Sequence, residues 1–177
     1  MSFSKKKLYT EGELYEYAVG ALARRMRSIA ELKRLLRQRV EAETEFGQTL
    51  VELIIRRLKD QGYLNDAKYA AAYSSFRRDN EKFGRMRVIT DLKAKGVHGD
   101  VIDKAISESF DEVNEEKQAR AYLKRKRLVK PANEKQVARI FRQLMRAGFR
   151  SKTIFTILKK WDVDEEVLTN LETETAD

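Results

Sequence analysis

The 177-residue chain has no cysteine, one proline and one histidine. Without cysteine it forms neither a disulfide nor a thiolate metal site, a composition that suits a reducing compartment. A cytoplasmic location is the expectation. The longest apolar stretches, such as YAVGALA at 17–23, fall far short of the roughly 20 residues that a membrane-spanning helix requires. The opening residues MSFSKKKLYTEG do not lead into the apolar stretch of a signal peptide, so no membrane partner is expected. Strand-like alternation is nearly absent.

What remains is 37% charged residues, with Lys, Arg, Glu, Leu and Ala prominent, which describes helices with a heavily hydrated exterior. The net charge of +9 is unevenly placed. Between Arg120 and Lys160 there are 14 basic residues and one acid, Glu134, whereas the rest of the chain is slightly acidic. A clustered field of this kind attracts polyanions or an acidic protein surface.

The chain repeats itself. In SIAELKRLLRQRV the apolar residues Ile29, Leu32, Leu35 and Val40 advance by three, three and five. The same steps recur as Met86, Ile89, Leu92 and Val97, and as Ala138, Phe141, Leu144 and Phe149. Gly96 and Gly148 precede the closing residues, where a left-handed helix cap favours glycine, while the first copy has Arg39. A second amphipathic stretch follows each copy, and a longer helix precedes it, near 12–26, 66–81 and 114–127. Ser28 and Glu31 form a capping box, and Asn65-Asp66 begins a new helix after Gly62.

The expected fold is therefore all-α. Three tandem three-helix repeats give nine helices in an elongated, curved, right-handed or solenoid-like body. The expected divisions are a basic N-terminal tail at 1–11, repeats at 12–64, 65–111 and 112–162, and an acidic C-terminal tail at 163–177. A polar insertion of low order is expected at 41–48. Glu165, Glu166, Glu172, Glu174 and Asp177 are expected to form a solvated end.

No nucleophile with its base, metal cluster or phosphate-cradling glycine loop is evident, and no cofactor is implied. His98 lies in a helix-to-helix turn and reads as a loop residue. Glu41, Glu43 and Glu45 read as a hydrated charge run and not as nuclease ligands. The basic residues are more informative. Arg139, Arg142, Arg146 and Arg150 recur at helical spacing without neighbouring acids, so they read as one stripe, extended by Lys124, Arg125, Lys126 and Arg127. The first copy carries a weaker set that includes Arg24, Arg25 and Arg34. Tyr69, Tyr73, Phe76, Phe149 and Phe155 sit at core spacing; Trp161 and Tyr122 are candidates for stacking, though packing is the plainer reading.

The runs ALARRMRSIAELKRLL, LIIRRLKDQGYLNDAKYAAAYSSFRR and GRMRVITDLKAKGV closely resemble the RecX regulatory proteins of bacteria. The resemblance extends from about Leu14 to Trp161, and GYLNDAKYA at 62–70 is its most specific part, followed by Arg77, Gly84 and the KGV turn. It departs at the 41–48 insertion and at Arg39. The resemblance implies a protein that binds the RecA filament on single-stranded DNA and lowers its extension, ATP hydrolysis, strand exchange and co-protease activity, thereby restraining DNA repair and the SOS response. The partner residues expected on charge are Arg24, Arg25, Arg34, Arg77, Arg87, Lys124, Arg125, Lys126, Arg127, Arg139, Arg142, Arg146 and Arg150. A monomer acting on RecA, with single- or double-stranded DNA as a further partner, is expected. The alternative is a free-standing basic DNA-binding protein that acts without RecA.

Overall fold

The helix boundaries follow local capping chemistry. Thr10 and Ser28 each accept a hydrogen bond from the backbone of the residue three positions on, and Glu13 and Glu31 return the bond to the cap backbone. Asn65, Asn114 and Asn133 cap later helices in the same way through their side-chain oxygens. The computed structural model describes residues 7, 8 and 10–176. Among these residues it has ten helices and no strand: α1 Glu11–Arg24, α2 Ile29–Arg37, α3 Glu45–Asp60, α4 Asp66–Asp79, α5 Arg85–Ala94, α6 Gly99–Phe110, α7 Glu115–Arg125, α8 Glu134–Arg146, α9 Ser151–Lys159 and α10 Glu165–Ala176. The first nine make three sets of three.

The chain divides into two compact units, one of residues 1–70 and 92–102, the other of 71–91 and 103–177. In the first, α1 and α2 pack on α3 around Leu14, Leu32, Leu36, Ile54 and Leu58. In the second, α7 and α8 pack on α9 around Phe141, Leu144, Phe149, Ile154 and Leu158. Burying such side chains contributes about 1.5–3 kcal/mol each relative to leaving them in water.

The second and third copies are in register. Val88, Leu92, Gly96 and Val97 correspond to Ile140, Leu144, Gly148 and Phe149, and all six apolar members are buried. In both copies a glycine at positive φ lets the closing amide reach back five residues: Val97 to the Leu92 carbonyl and Phe149 to that of Leu144, each at 3.2 Å. The first copy does not make this turn. Arg39 instead donates its amide to the Leu36 carbonyl at 2.8 Å, and the buried set becomes Leu32, Leu36 and Val40. Leu35 is only half-buried, so its expected core place belongs to Leu36. Met86 and Phe76 are likewise exposed, at 51% and 55%, because Val88, Tyr69 and Ser74 supply the buried faces of their helices.

Two other expectations are corrected. The 41–48 insertion is folded: Thr44 donates its hydroxyl to the Glu41 carbonyl at 2.7 Å and accepts from Gly47, so α3 begins at Glu45. A side chain on Gly47 would meet the Glu41 backbone. The acidic end is not simply a solvated tail, since α10 buries Leu168 and Leu171 against α8 and α9. Its start, Val163-Asp164-Glu165, repeats Leu64-Asn65-Asp66 and Val113-Asn114-Glu115, so α10 has the entry sequence of another repeat's first helix. Asp177 and most of the expected basic N-terminal tail lie outside the described residues. Of that tail, Lys7 and Leu8 donate hydrogen bonds to the carbonyls of Val40 and Arg39.

Candidate cationic binding surface

Helix α8 buries Val137, Ile140, Phe141 and Leu144, leaving Arg139, Arg142 and Arg146 exposed. They do not form one stripe with Arg150. Gly148, at φ 89°, ends the helical path, and Arg150 becomes the residue preceding α9. Its amide donates to Glu115 Oε1 at 3.1 Å, while Thr153 Oγ1 donates to Glu115 Oε2 at 2.6 Å. Arg142 shares a shallow cleft with Asp164 and Glu166 at the start of α10. These two acids come from the segment expected to be a tail, and Glu134 of α8 lines the same cleft.

Arg139 and Arg146 turn the other way. With Arg87 of α5 and Lys126 just after α7 they line an open cleft of about 360 Å³, completed by Phe83, Tyr122, Gln143 and Ala147. Four cations and no carboxylate line it among the described residues. The Arg87 guanidinium lies 5.7 Å from the centre of the Phe83 ring, and Lys126 Nζ lies 5.9 Å from that of Tyr122. Those ring centres are themselves 6.0 Å apart. Cation–π attraction holds the two charges over a shared aromatic floor. Arg146 Nε donates to the Arg142 carbonyl at 3.2 Å, which steadies its side chain at the end of α8.

Other expected site residues are engaged within the fold. Arg77 donates to Tyr73 Oη and Asp91 Oδ2, both at 2.9 Å. Burial pushes its guanidinium pKa down, but these two partners outweigh burial and hold it above its ordinary value. Asp91 also pairs with Arg87 Nε at 3.0 Å. Arg125 pairs with Glu81 at 3.0 Å, and the side chains of Arg24 and Arg34 donate to the carbonyls of Gly20 and Ala30 in their own helices. Arg25, Lys124 and Arg127 are exposed, and Arg127 takes the left-handed conformation, φ 54°, that closes α7. Arg24, Arg25 and Arg34 belong to the first unit and the other ten to the second.

Sequence spacing placed the cations but missed Phe83, Gln143 and Ala147, which shape the cleft. It also missed the pairs of Asp91 with Arg77 and of Glu81 with Arg125, whose members are distant in sequence, and the i,i+4 pair of Asp91 with Arg87. Tyr122 is buried between Phe83 and Phe149 and presents no free stacking face, whereas Trp161 is partly buried and packs against the same core. His98 is exposed in its turn, 3.5 Å from Asp100. No group of three or more His, Cys, Asp or Glu among the described residues is placed to hold a metal ion. No helix among them is long and apolar enough to cross a membrane.

Three-helix sets, with cations gathered into a cleft in the second unit, define a helical-repeat protein with a cationic surface. A family model for "RecX, second three-helix domain" matches residues 65–106, which contain α4, α5 and most of α6. A Regulatory protein RecX from Trichlorobacter lovleyi is 32% identical over 151 residues, covering 84% of this chain and 95% of that protein. One from Bacillus pumilus is also 32% identical, over 154 residues and 86% of this chain, but the match takes in only 57% of that protein. The chain thus spans little more than half the length of the Bacillus relative. The crystal structure of RecX from Lactobacillus salivarius matches 86% of this chain with a TM-score of 0.63 at 21% identity, a likeness of fold. The chain belongs to the RecX family of regulatory proteins.

Proposed function

We propose that the chain binds the RecA filament on single-stranded DNA and restrains it, acting by occupancy and not by catalysis. Filament extension, ATP hydrolysis, strand exchange and repressor cleavage all fall when it is bound. Family membership carries this reading, because the match to the Trichlorobacter lovleyi protein covers 84% of this chain and 95% of that one. The cationic surface of the second unit supports it, since a filament of protein on a polyanion offers acidic groups of both kinds.

ATP hydrolysis by preformed filaments, followed while the chain is titrated from far below to equal stoichiometry, tests the reading. Inhibition at concentrations too low to coat the DNA is expected. Inhibition only once the DNA is saturated would replace it with the free-standing DNA-binding alternative, whose affinity falls steeply with salt.

A further inference from the structure

We propose that the Arg87–Lys126–Arg139–Arg146 cleft is a socket for clustered carboxylates on an acidic segment of the protein partner, and not a track for a nucleic-acid backbone. The inference rests on the function proposed above and names the chemistry of one contact within it. Three features of the cleft carry it.

The first is convergence. The four cations come from α5, the end of α7 and α8, yet they line one cleft of about 360 Å³. A strand of nucleic acid is tracked by charges spread along a path. The path written in the sequence, from Arg139 through Arg142 and Arg146 to Arg150, is broken: Arg142 faces acids of α10 and Arg150 has left the helix. A concentrated set of cations suits a compact anionic cluster.

The second is unmet charge. Of the four, only Arg87 has a carboxylate partner, Asp91, which it shares with Arg77. Lys126, Arg139 and Arg146 make no ion pair among those found in the described residues. Holding like charges together opposes folding, and an incoming carboxylate relieves that repulsion. Guanidinium groups bind planar carboxylates through paired N–H donors, a fit that a single lysine does not supply.

The third concerns the floor. Single-stranded nucleic acid binds through cations together with exposed aromatic faces on which bases stack. Here Tyr122 is 5% exposed and Phe83 already has the guanidiniums of Arg77 and Arg87 beside it. Gln143 and Ala147 complete a wall suited to a peptide's polar backbone and short side chains.

The test uses the full chain, the double variant K126E/R139E and the charge-matched control K135E/K152E, whose residues are exposed and outside the cleft. Fluorescence anisotropy at low salt reports binding of two labelled probes, a hexaglutamate peptide and an oligo-dT strand. The cleft variant is expected to weaken peptide binding about tenfold or more, and the control by no more than about twofold. Oligo-dT should respond alike to both variants. Equal weakening of the peptide by both variants would overturn the proposal, as would no peptide binding by the native chain. Selective loss of oligo-dT by the cleft variant would make the cleft a nucleic-acid site instead. The neutral pair K126Q/R139Q, with circular dichroism on every variant, separates loss of charge from loss of fold and must show the same selectivity.

Filament ATPase assays on the same proteins distinguish the two levels of the account. If native chain and cleft variant inhibit equally, the socket is rejected and the function stands. If the native chain does not inhibit while selective peptide binding persists, the function is rejected and the socket stands for another acidic protein.

Discussion

Gly148 lies in backbone contact with Arg87: a methyl group on the glycine would come within 2.9 Å of Arg87 Cα and closer still to its amide nitrogen. Gly84, at the start of α5, completes the contact by donating its amide to the Ala147 carbonyl at 2.8 Å. The first unit repeats the arrangement, with Ser28 Oγ donating to the Lys95 carbonyl at 2.6 Å and Gly96 lying against Ala30. In both places the start of a second helix docks on the glycine turn of the next copy. The contact between Gly148 and Arg87 also fixes one wall of the cationic cleft.

Gly148→Ala is expected to lower stability by about 2–4 kcal/mol, through left-handed strain and the steric clash together. Gly62→Ala has a similar positive φ, 74°, but nothing within 4 Å of the added methyl, so a smaller loss of about 1–2 kcal/mol is expected. Urea unfolding of the two variants measures the difference. Equal losses would remove the close approach from the account.

The fold was largely legible because its signals are local. The Ser28–Glu31 capping box, the Gly96 and Gly148 turns and the 52-residue register of the last two copies all follow from chemistry within a few residues. The first copy departs by one residue, with Leu36 in place of Leu35, since Arg39 bonds back to Leu36 and does not make the turn that sets the spacing elsewhere. Helix α10 was missed because its acids dominate the composition around Leu168 and Leu171. The recurring Val163-Asp164-Glu165 was the available sign. Among the candidate cations, charge was readable but neutralisation was not, as Asp91 reaches Arg77 across 14 positions and Glu81 reaches Arg125 across a longer stretch.

Leu168→Ala and Leu171→Ala are each expected to destabilise the second unit by about 2–4 kcal/mol, the usual cost of emptying a buried leucine site. A solvated tail would give almost no change. Thermal unfolding followed by circular dichroism decides between them.

Glu31 gathers donors around one carboxylate: Lys95 Nζ at 3.0 Å, the Ser28 amide at 3.1 Å and Tyr69 Oη at 3.2 Å. Burial pushes its pKa up, but the hydrogen bonds and the Lys95 charge outweigh burial and hold it below the ordinary 4.5. A depressed carboxylate pKa stabilises the fold fully at pH values above 4.5, and the stabilisation is lost as pH falls through the lower folded value. Glu31→Gln is therefore expected to cost about 1–2 kcal/mol at neutral pH. Urea midpoints of the native chain and the variant, taken across pH, should converge in acid; a gap that widens there would contradict the assignment.

Asp91→Ala strips the part-buried Arg77 of its carboxylate, and a loss of about 2–3 kcal/mol is expected from leaving that charge unpaired. Arg139→Ala, at an exposed cleft position, should change stability by no more than about 0.5 kcal/mol. Chemical unfolding of both variants separates the arginine that serves the fold from one free to serve a partner.

Direct binding tests the central claim most closely. The fluorescently labelled chain is titrated with preassembled RecA filaments on single-stranded DNA, held by a non-hydrolysable ATP analogue, and separately with the same DNA bare, at increasing salt. The account predicts binding to the filament at salt concentrations where binding to bare DNA has vanished. Equal or tighter binding to the bare DNA, with no gain from the filament, would contradict it.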